Sequence, residues 1–340
     1  MAKASAKHAD ARHGIAICGS MVGDVHYSVD AYPAEGSLAP AHVGEQHAGG
    51  IGNLIGQLSR LAPELPLQVS CTLGTDAIAD AVLDELAAPA VDFSRIVRTE
   101  GPSAHTLVID SLDSGERTFY SVSDPAAGFD DTAVDVDSFS ARVFLLEYLL
   151  LMPGMDAVDE EYGTHAARLL AQARAAGMIT AVDVVSERSE RAHDIICAAL
   201  PHTDVISFNE VEAERATGIA VKASDERAAH AALDALAEAG VAKWAVIHMP
   251  EVAYGLDVTS GEHLRLPSLR VRKEDIRGTT GAGDAFMAGI LYGAHEDWSL
   301  KESMMLARAS AACSLYGTSG FNSMRTVPEV LDLAFDLGER

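Results

Sequence analysis

The segment Gly278-Thr279-Thr280-Gly281-Ala282-Gly283-Asp284-Ala285-Phe286-Met287-Ala288-Gly289 combines residue types suited to handling an anion. Glycine and alanine let backbone N–H groups approach a negative ligand closely. A helix opening inside the segment adds the positive end of its dipole. Asp284 falls in the first turn of that helix, where the dipole favours the carboxylate, so it is suited to take a proton at neutral pH. The predicted chemistry is phosphoryl transfer, with Thr279, Gly281, Ala282 and Gly283 around the anion and Asp284 deprotonating an acceptor hydroxyl. A bare Gly-x-Gly would read more simply as a turn, but the small residues that follow Asp284 favour the functional reading. The loop is not a Walker A motif, because Asp284 stands where Gly-Lys-Ser/Thr would end it. Nor is it a dinucleotide fingerprint, which follows the first strand.

The charge of the chain bounds what the anion site can be. The 340 residues include 25 Lys+Arg against 50 Asp+Glu, a formal net charge of −25. Nucleic acid and anionic membrane surfaces are excluded as main partners, since both need a basic patch. A nucleotide must then be held by backbone dipoles and a metal rather than by a basic cleft. Hydrophobic residues make up 48% of the chain, enough for a sizeable core. Cys18, Cys71, Cys197 and Cys313 form no Cys-x-x-Cys pair and read as reduced thiols. Residues 1–13 are polar, lack the apolar stretch of a signal peptide and read as a flexible leader. The longest apolar run, Val143 to Pro153, is interrupted by Glu147 and too short to span a bilayer. A soluble, cytoplasmic protein is expected.

The elements that must position the site follow from periodicity. Residues 15–20 read as a buried strand, residues 25–47 as irregular or edge structure, and Gly49–Leu61 as a helix. Val69–Leu73 reads as a strand and Asp76–Leu86 as a helix. Leu107–Asp110 and Arg117–Val122 flank Asp113-Ser114-Gly115 as a hairpin. From Val143 onward strands and helices alternate. The strands are Val143–Met152, Thr180–Val185, Asp204–Phe208 and Trp244–His248; the helices are Glu160–Ala176, Glu190–Leu200, Val211–Thr217 and Ala228–Ala239. This pattern predicts an α/β fold with a parallel sheet covered on both faces. The β-rich pieces near 25–47 and 103–123 would form a small lid on one domain spanning 14–340. Glu147, inside an apolar strand, either points into the site or sits at a bend. Arg117 reads as a solvated turn residue that could also reach a substrate anion.

The Thr-Thr-Gly-Ala-Gly-Asp run resembles the C-terminal signature of the ribokinase-like (PfkB) carbohydrate kinases. The resemblance extends from about Gly14 to Val330. Gly23-Asp24-Val25 matches the acid after the first strand, and Gly49-Gly50-Ile51-Gly52-Asn53 matches the glycine motif that opens the next helix. Asn209-Glu210-Val211-Glu212 matches the Asn-x-x-Glu motif. The resemblance implies a three-layer α/β/α fold with a mostly parallel sheet and a small β-rich lid. It implies sugar contacts from Asp24, Gly49, Gly50 and Asn53, and Mg²⁺ organised through water by Asn209 and Glu212. ATP is the implied donor, Asp284 the base and the lid a dimer contact. The chain departs from the pattern in four places. Two residues, not three, separate Gly50 from Asn53. Gly278 replaces an acid that in many relatives helps build a monovalent-cation site, so a K⁺ requirement is left open. Ile247-His248-Met249-Pro250 replaces a glycine-containing strand and loop near the nucleotide, and Asp183-Val184-Val185-Ser186-Glu187-Arg188 only partly matches an Asp-x-Asn-x-Arg stretch.

The sequence therefore reads as an ATP-dependent sugar kinase. Two alternatives stand beside it: a nucleoside kinase of the same fold, and a catalytically silent sugar-binding regulator. The sugar and the hydroxyl are not specified by these motifs.

Overall fold

A computed structural model describes residues 12–114, 116–123, 126–186 and 189–340. The expected leader up to residue 11 lies outside the described residues, as do Gly115 of the hairpin turn and Glu187 and Arg188. Arg12 and His13 are tied to the body. Arg12 donates to the Phe139 carbonyl at 2.8 Å, and the His13 N–H donates to the Ser140 carbonyl at 3.0 Å.

The first half of the chain contains β1 (Ile15–Gly19), β2 (Met21–Val29), β3 (His42–Gly50), α1 (Ile51–Leu61), β4 (Leu67–Ser70) and α2 (Ala77–Leu86). It continues with β5 (Val91–Asp92), β6 (His105–Ser111), β7 (Arg117–Val122), β8 (Val143–Leu149) and α3 (His165–Ala175). The second half contains β9 (Ile179–Val184), α4 (Ala192–Ala199), β10 (Val205–Asn209), α5 (Glu210–Thr217), α6 (Glu226–Glu238) and β11 (Trp244–His248). It closes with β12 (Val252–Asp257), β13 (Glu262–Pro267), α7 (Ala282–His295), α8 (Leu300–Ser314) and α9 (Val327–Leu337).

The large sheet has the order β13-β12-β11-β10-β9-β8-β1-β4-β5. Pairing is parallel from β5 through β11, and β12 and β13 add an antiparallel edge. β1 shows why the sheet lies between two helical layers. Ile15 and Ile17 belong to a core shared with α1, α2, α7, α8 and α9. Ala16 and Cys18 belong to a second core, with α3, α4, α5 and α6. A side-chain period of two thus sends one strand into both cores. This is the expected three-layer α/β/α fold.

One residue, Ser20, separates β1 from β2. There the chain leaves the large sheet for a four-stranded one in the order β3-β2-β6-β7. β2 is antiparallel to β3 and parallel to β6, and β6 and β7 form the expected hairpin. The irregular reading of 25–47 is corrected: two nine-residue strands flank a loop, and Pro33 and Pro40 fall inside that loop where no ladder needs their N–H.

Other boundaries also shift for local reasons. Gly49 and Gly50 end β3 rather than open a helix, because they pair with Val22 and Met21. The helix expected from Glu160 starts at His165, where the Thr164 hydroxyl accepts the Ala167 N–H at 3.1 Å. β12 and β13 carry no clear signal in the sequence. Pro250 ends β11, and a tight turn with Met249 N–H donating to the Val252 carbonyl at 2.9 Å reverses the chain into them. The four cysteines are free thiols. Among the described residues no helix is long and apolar enough to cross a membrane.

Candidate active site

The parallel strands β1, β8, β9, β10 and β11 all end at the same edge of the large sheet, and the polar residues of interest stand there: Glu147, Asp183, Asn209 and His248. This is the edge at which an open α/β sheet presents ligand contacts. α7 begins above it.

Gly281 caps α7 with φ +77°, a left-handed conformation that glycine adopts without strain. A Cβ there would run into the backbone of Gly320. The N–H groups of Gly283 and Asp284 carry no hydrogen bond among the described residues, as expected for donors in a first helical turn. The Ala282 N–H is engaged by the Thr279 carbonyl at 3.3 Å. Thr279 and Thr280 lead into this turn.

Asp284 is 8% exposed. Burial pushes its carboxyl up to about 6, while hydrogen bonds from Tyr148 and Asn53 act in the opposite direction and the Asp24 charge adds to the rise. Asp284, Asn53 and Asp24 therefore meet although they come from α7, α1 and β2. Gly49 lies beside the Asp24 side chain, where an added Cβ would lie 2.6 Å from the carboxylate. The Asp24 carboxyl is raised by burial, partly offset by nearby His26 and the Thr106 hydroxyl. Arg117 turns away from this group and pairs with Asp110 at 2.6 Å.

Two further acids lie beneath. Glu147 is fully buried and neither of its carboxylate oxygens has a hydrogen-bond partner among the described residues. Burial, together with Asp284 and Asp183, raises its carboxyl well above the usual range. Asp183 is raised in the same way, by burial and then by Glu212 and Asp284. Glu147 is thus buried beneath Asp284 and also sits at an irregularity of β8, where the pairing with β9 shifts register between Leu146 and Leu149. Tyr148, which sequence reasoning missed, donates its hydroxyl to Asp284 Oδ1. Its only sequence signal is the polar Glu-Tyr pair that breaks an apolar strand.

A cavity of about 440 Å³ adjoins the α7 terminus, with Thr279, Ala282, Gly283, Asn209, His248 and Phe286 in its wall. His248 stacks on Phe286 with ring centroids 5.0 Å apart. Burial brings its imidazole down to about 4, so it is neutral at neutral pH. Asn209 and Glu212 form a capping box on α5. Asn209 Oδ1 accepts the Val211 and Glu212 N–H groups at 2.9 and 3.0 Å, and Glu212 Oε2 accepts the Asn209 N–H at 2.8 Å. Glu212 Oε1 accepts from Ser186 Oγ at 2.8 Å and Asn209 Nδ2 at 2.7 Å. With its oxygens so engaged, Glu212 suits a cation held through water rather than by direct ligation. Among the described residues no group of three or more His, Cys, Asp or Glu is arranged to hold a metal ion.

A family model described as pfkB family carbohydrate kinase matches residues 12–326. The chain belongs to the pfkB carbohydrate kinase family. Solved structures place this pfkB kinase among proteins of the same fold. An Arabidopsis thaliana ribokinase complexed with ribose and ATP superposes with a TM-score of 0.78 at 21% identity, covering 95% of this chain and 99% of that one. A Thermotoga maritima ribokinase gives 0.75 at 16% identity over 94% and 99%. A Xylella fastidiosa fructokinase with bound ATP gives 0.71 at 21% over 95% and 98%. Membership and fold together support, for this pfkB kinase, phosphoryl transfer to an alcohol of a sugar in the general sense.

Proposed function

We propose that this pfkB kinase transfers the γ-phosphoryl group of ATP to a sugar hydroxyl, with Asp284 as the base. The position of Asp284 carries the reading. On one side it meets Asp24 and Asn53, which suit a polyol because a carboxylate accepts from hydroxyls and an amide both donates and accepts. On the other side its neighbour Gly283 lines the cavity, which has the size for a nucleotide. Asp24, Gly49, Gly50 and Asn53 orient the acceptor hydroxyl toward Asp284, which takes its proton as the new O–P bond forms. The backbone N–H groups of Gly281 and Gly283 stabilise the charge on the transferring group, with Ala282, whose N–H is engaged by Thr279, shaping the turn between them. Mg²⁺, held through water by Asn209 and Glu212, would supply positive charge against the phosphates.

The four-stranded sheet serves as the lid in this reading, excluding water that would compete with the sugar. Val43, Leu112, Phe119 and Tyr120 are exposed on that sheet or its turn, and a second copy covering them would give a homodimer. The cytoplasm, where ATP is supplied, is the proposed compartment. The neighbours direct the choice of first substrates to ribose and fructose. The deciding experiment is an ATP-turnover panel of pentoses, hexoses, sugar acids and nucleosides, run with and without K⁺. Turnover confined to nucleosides would favour the nucleoside kinase. Sugar binding without any turnover would favour the silent regulator.

A further inference from the structure

β8 ends its apolar run with two polar residues, and both face the site. Glu147 lies buried without a hydrogen-bond partner among the described residues, and Tyr148 hydrogen-bonds Asp284 Oδ1. Around Asp284 stand Glu147 from β8, Asp183 from β9 and Asp24 from β2, all acids. No Lys or Arg figures among the described groups acting on it. Among the described residues its side-chain hydrogen-bond donor is the Tyr148 hydroxyl, and the Asn53 amide of α1 acts on it from nearby. Burial and the neighbouring carboxylates raise the Tyr148 phenol well above its ordinary value, so it keeps its proton and can only donate to Asp284. A carboxylate has about four acceptor positions, so one bond to Oδ1 leaves room for an incoming hydroxyl.

We infer that Tyr148 is a positioning residue for Asp284: its hydroxyl holds Oδ1, fixes the direction of the carboxylate and favours the ionised form that can accept a proton. The inference rests on the reading of Asp284 as base and deepens it. Among three acids, and with no Lys or Arg acting on it among the described residues, a directed donor adds to the α7 dipole in favouring the ionised carboxylate. Without Tyr148, Asp284 would ionise only at higher pH. The loss would then be largest in acid and would fade in alkali.

The test compares wild type with Tyr148→Phe in two ways. Thermal denaturation of the full chain without ligand is followed from pH 5 to pH 8, with and without Asp284→Asn in the same chain. The difference in Tm caused by Tyr148→Phe should widen as pH rises above about 6, where wild-type Asp284 ionises, and should lose its pH dependence in the Asp284→Asn background. In kinetics with MgATP and the panel sugar turned over fastest, the acidic limb of kcat/KM should move up by about one pH unit. The loss should be about fivefold at pH 6 and small above pH 8, with KM for the sugar changed less than about twofold. 3-Fluorotyrosine at position 148 retains the packing and donates more strongly, so it should move the limb downward; it also covers the case in which Tyr148→Phe does not fold. A Tm difference that is constant across pH, or pH profiles that superimpose, overturns the inference. If wild type phosphorylates no sugar, the reading of Asp284 as base fails, while the denaturation arm still decides whether Tyr148 and Asp284 are coupled.

Discussion

Asn53, in the first turn of α1, stands beside Asp284, in the first turn of α7, and its amide acts to lower the pKa of that carboxyl. Two helix starts from distant parts of the chain thus converge on one carboxylate. The helices also pack directly, with Gln57 of α1 donating to the carbonyls of Gly281 and Gly320. The glycine motif that leads to Asn53 and the Gly281–Asp284 turn are parts of one packed corner.

The first consequence concerns the base. Asp284→Asn should lower kcat by about 10²–10⁴, the usual worth of a positioned general base, with little change in ATP affinity. In the proposed mechanism, activity requires the deprotonated carboxylate. The rate should therefore fall as pH drops through about 6, the value to which burial pushes this group. Steady-state kinetics across pH 5 to 8 checks both; a rate that rises as pH falls would sink the assignment.

Glu147 gives a prediction about stability. Its folded-state value is raised above that of the unfolded chain. Its contribution is therefore fully present in acid and is lost as pH rises through the folded value. Glu147→Gln removes that loss. Its Tm should match wild type near pH 4 and exceed it in alkali by a few degrees, corresponding to about 1–3 kcal/mol for a buried polar group without a partner. Calorimetry at pH 4 and pH 9 measures the difference, and a variant less stable at both would contradict it.

Gly281→Ala tests the turn under the anion. The substitution puts a Cβ at φ +77° and against Gly320. A cost of about 1–3 kcal/mol is expected from the backbone alone. kcat should fall further than Tm predicts, because the N–H groups of the first turn move. Paired melting and rate measurements separate the two; an unchanged rate would show that the turn does not hold the transferring group.

Removing the metal gives the fourth test. The net charge is −25 and the Gly281–Asp284 loop holds no basic side chain; Arg308 and Arg340 stand elsewhere in the cavity wall, so at the loop itself ATP leans on the helix dipole and a cation in the proposed reading. Titration calorimetry with ATP should show affinity falling at least about tenfold when Mg²⁺ is replaced by chelator. Equal affinity in both would remove Asn209 and Glu212 from the proposed metal arrangement.

How much of this was legible depended on whether a signal was local. Asp284 and its glycines announced themselves because anion binding at a helix start needs small residues and an acid within a few positions. The β6–β7 hairpin was legible for the same reason. The ladder that extends β3 to Gly50 was not, since its partners Met21 and Val22 lie far upstream. β12 and β13 were hidden behind Pro250, which reads as a break although the chain turns there. Asn209 and Glu212 matched a motif, yet nothing in the sequence distinguished a metal organiser from the helix cap they also form. Tyr148 was invisible because its meaning lies wholly in a partner across the fold.

The single residue between β1 and β2 separates two jobs. Asp24 and Gly49 travel with the small sheet, whereas Asp284, Gly281 and Asn209 belong to the large sheet and its helices. In the proposed reading, changes in β2 and β3 can retune the contacts that Asp24 and Gly49 make with the acceptor, while Asn53 on α1 stays fixed beside Asp284 and is shared by every such variant.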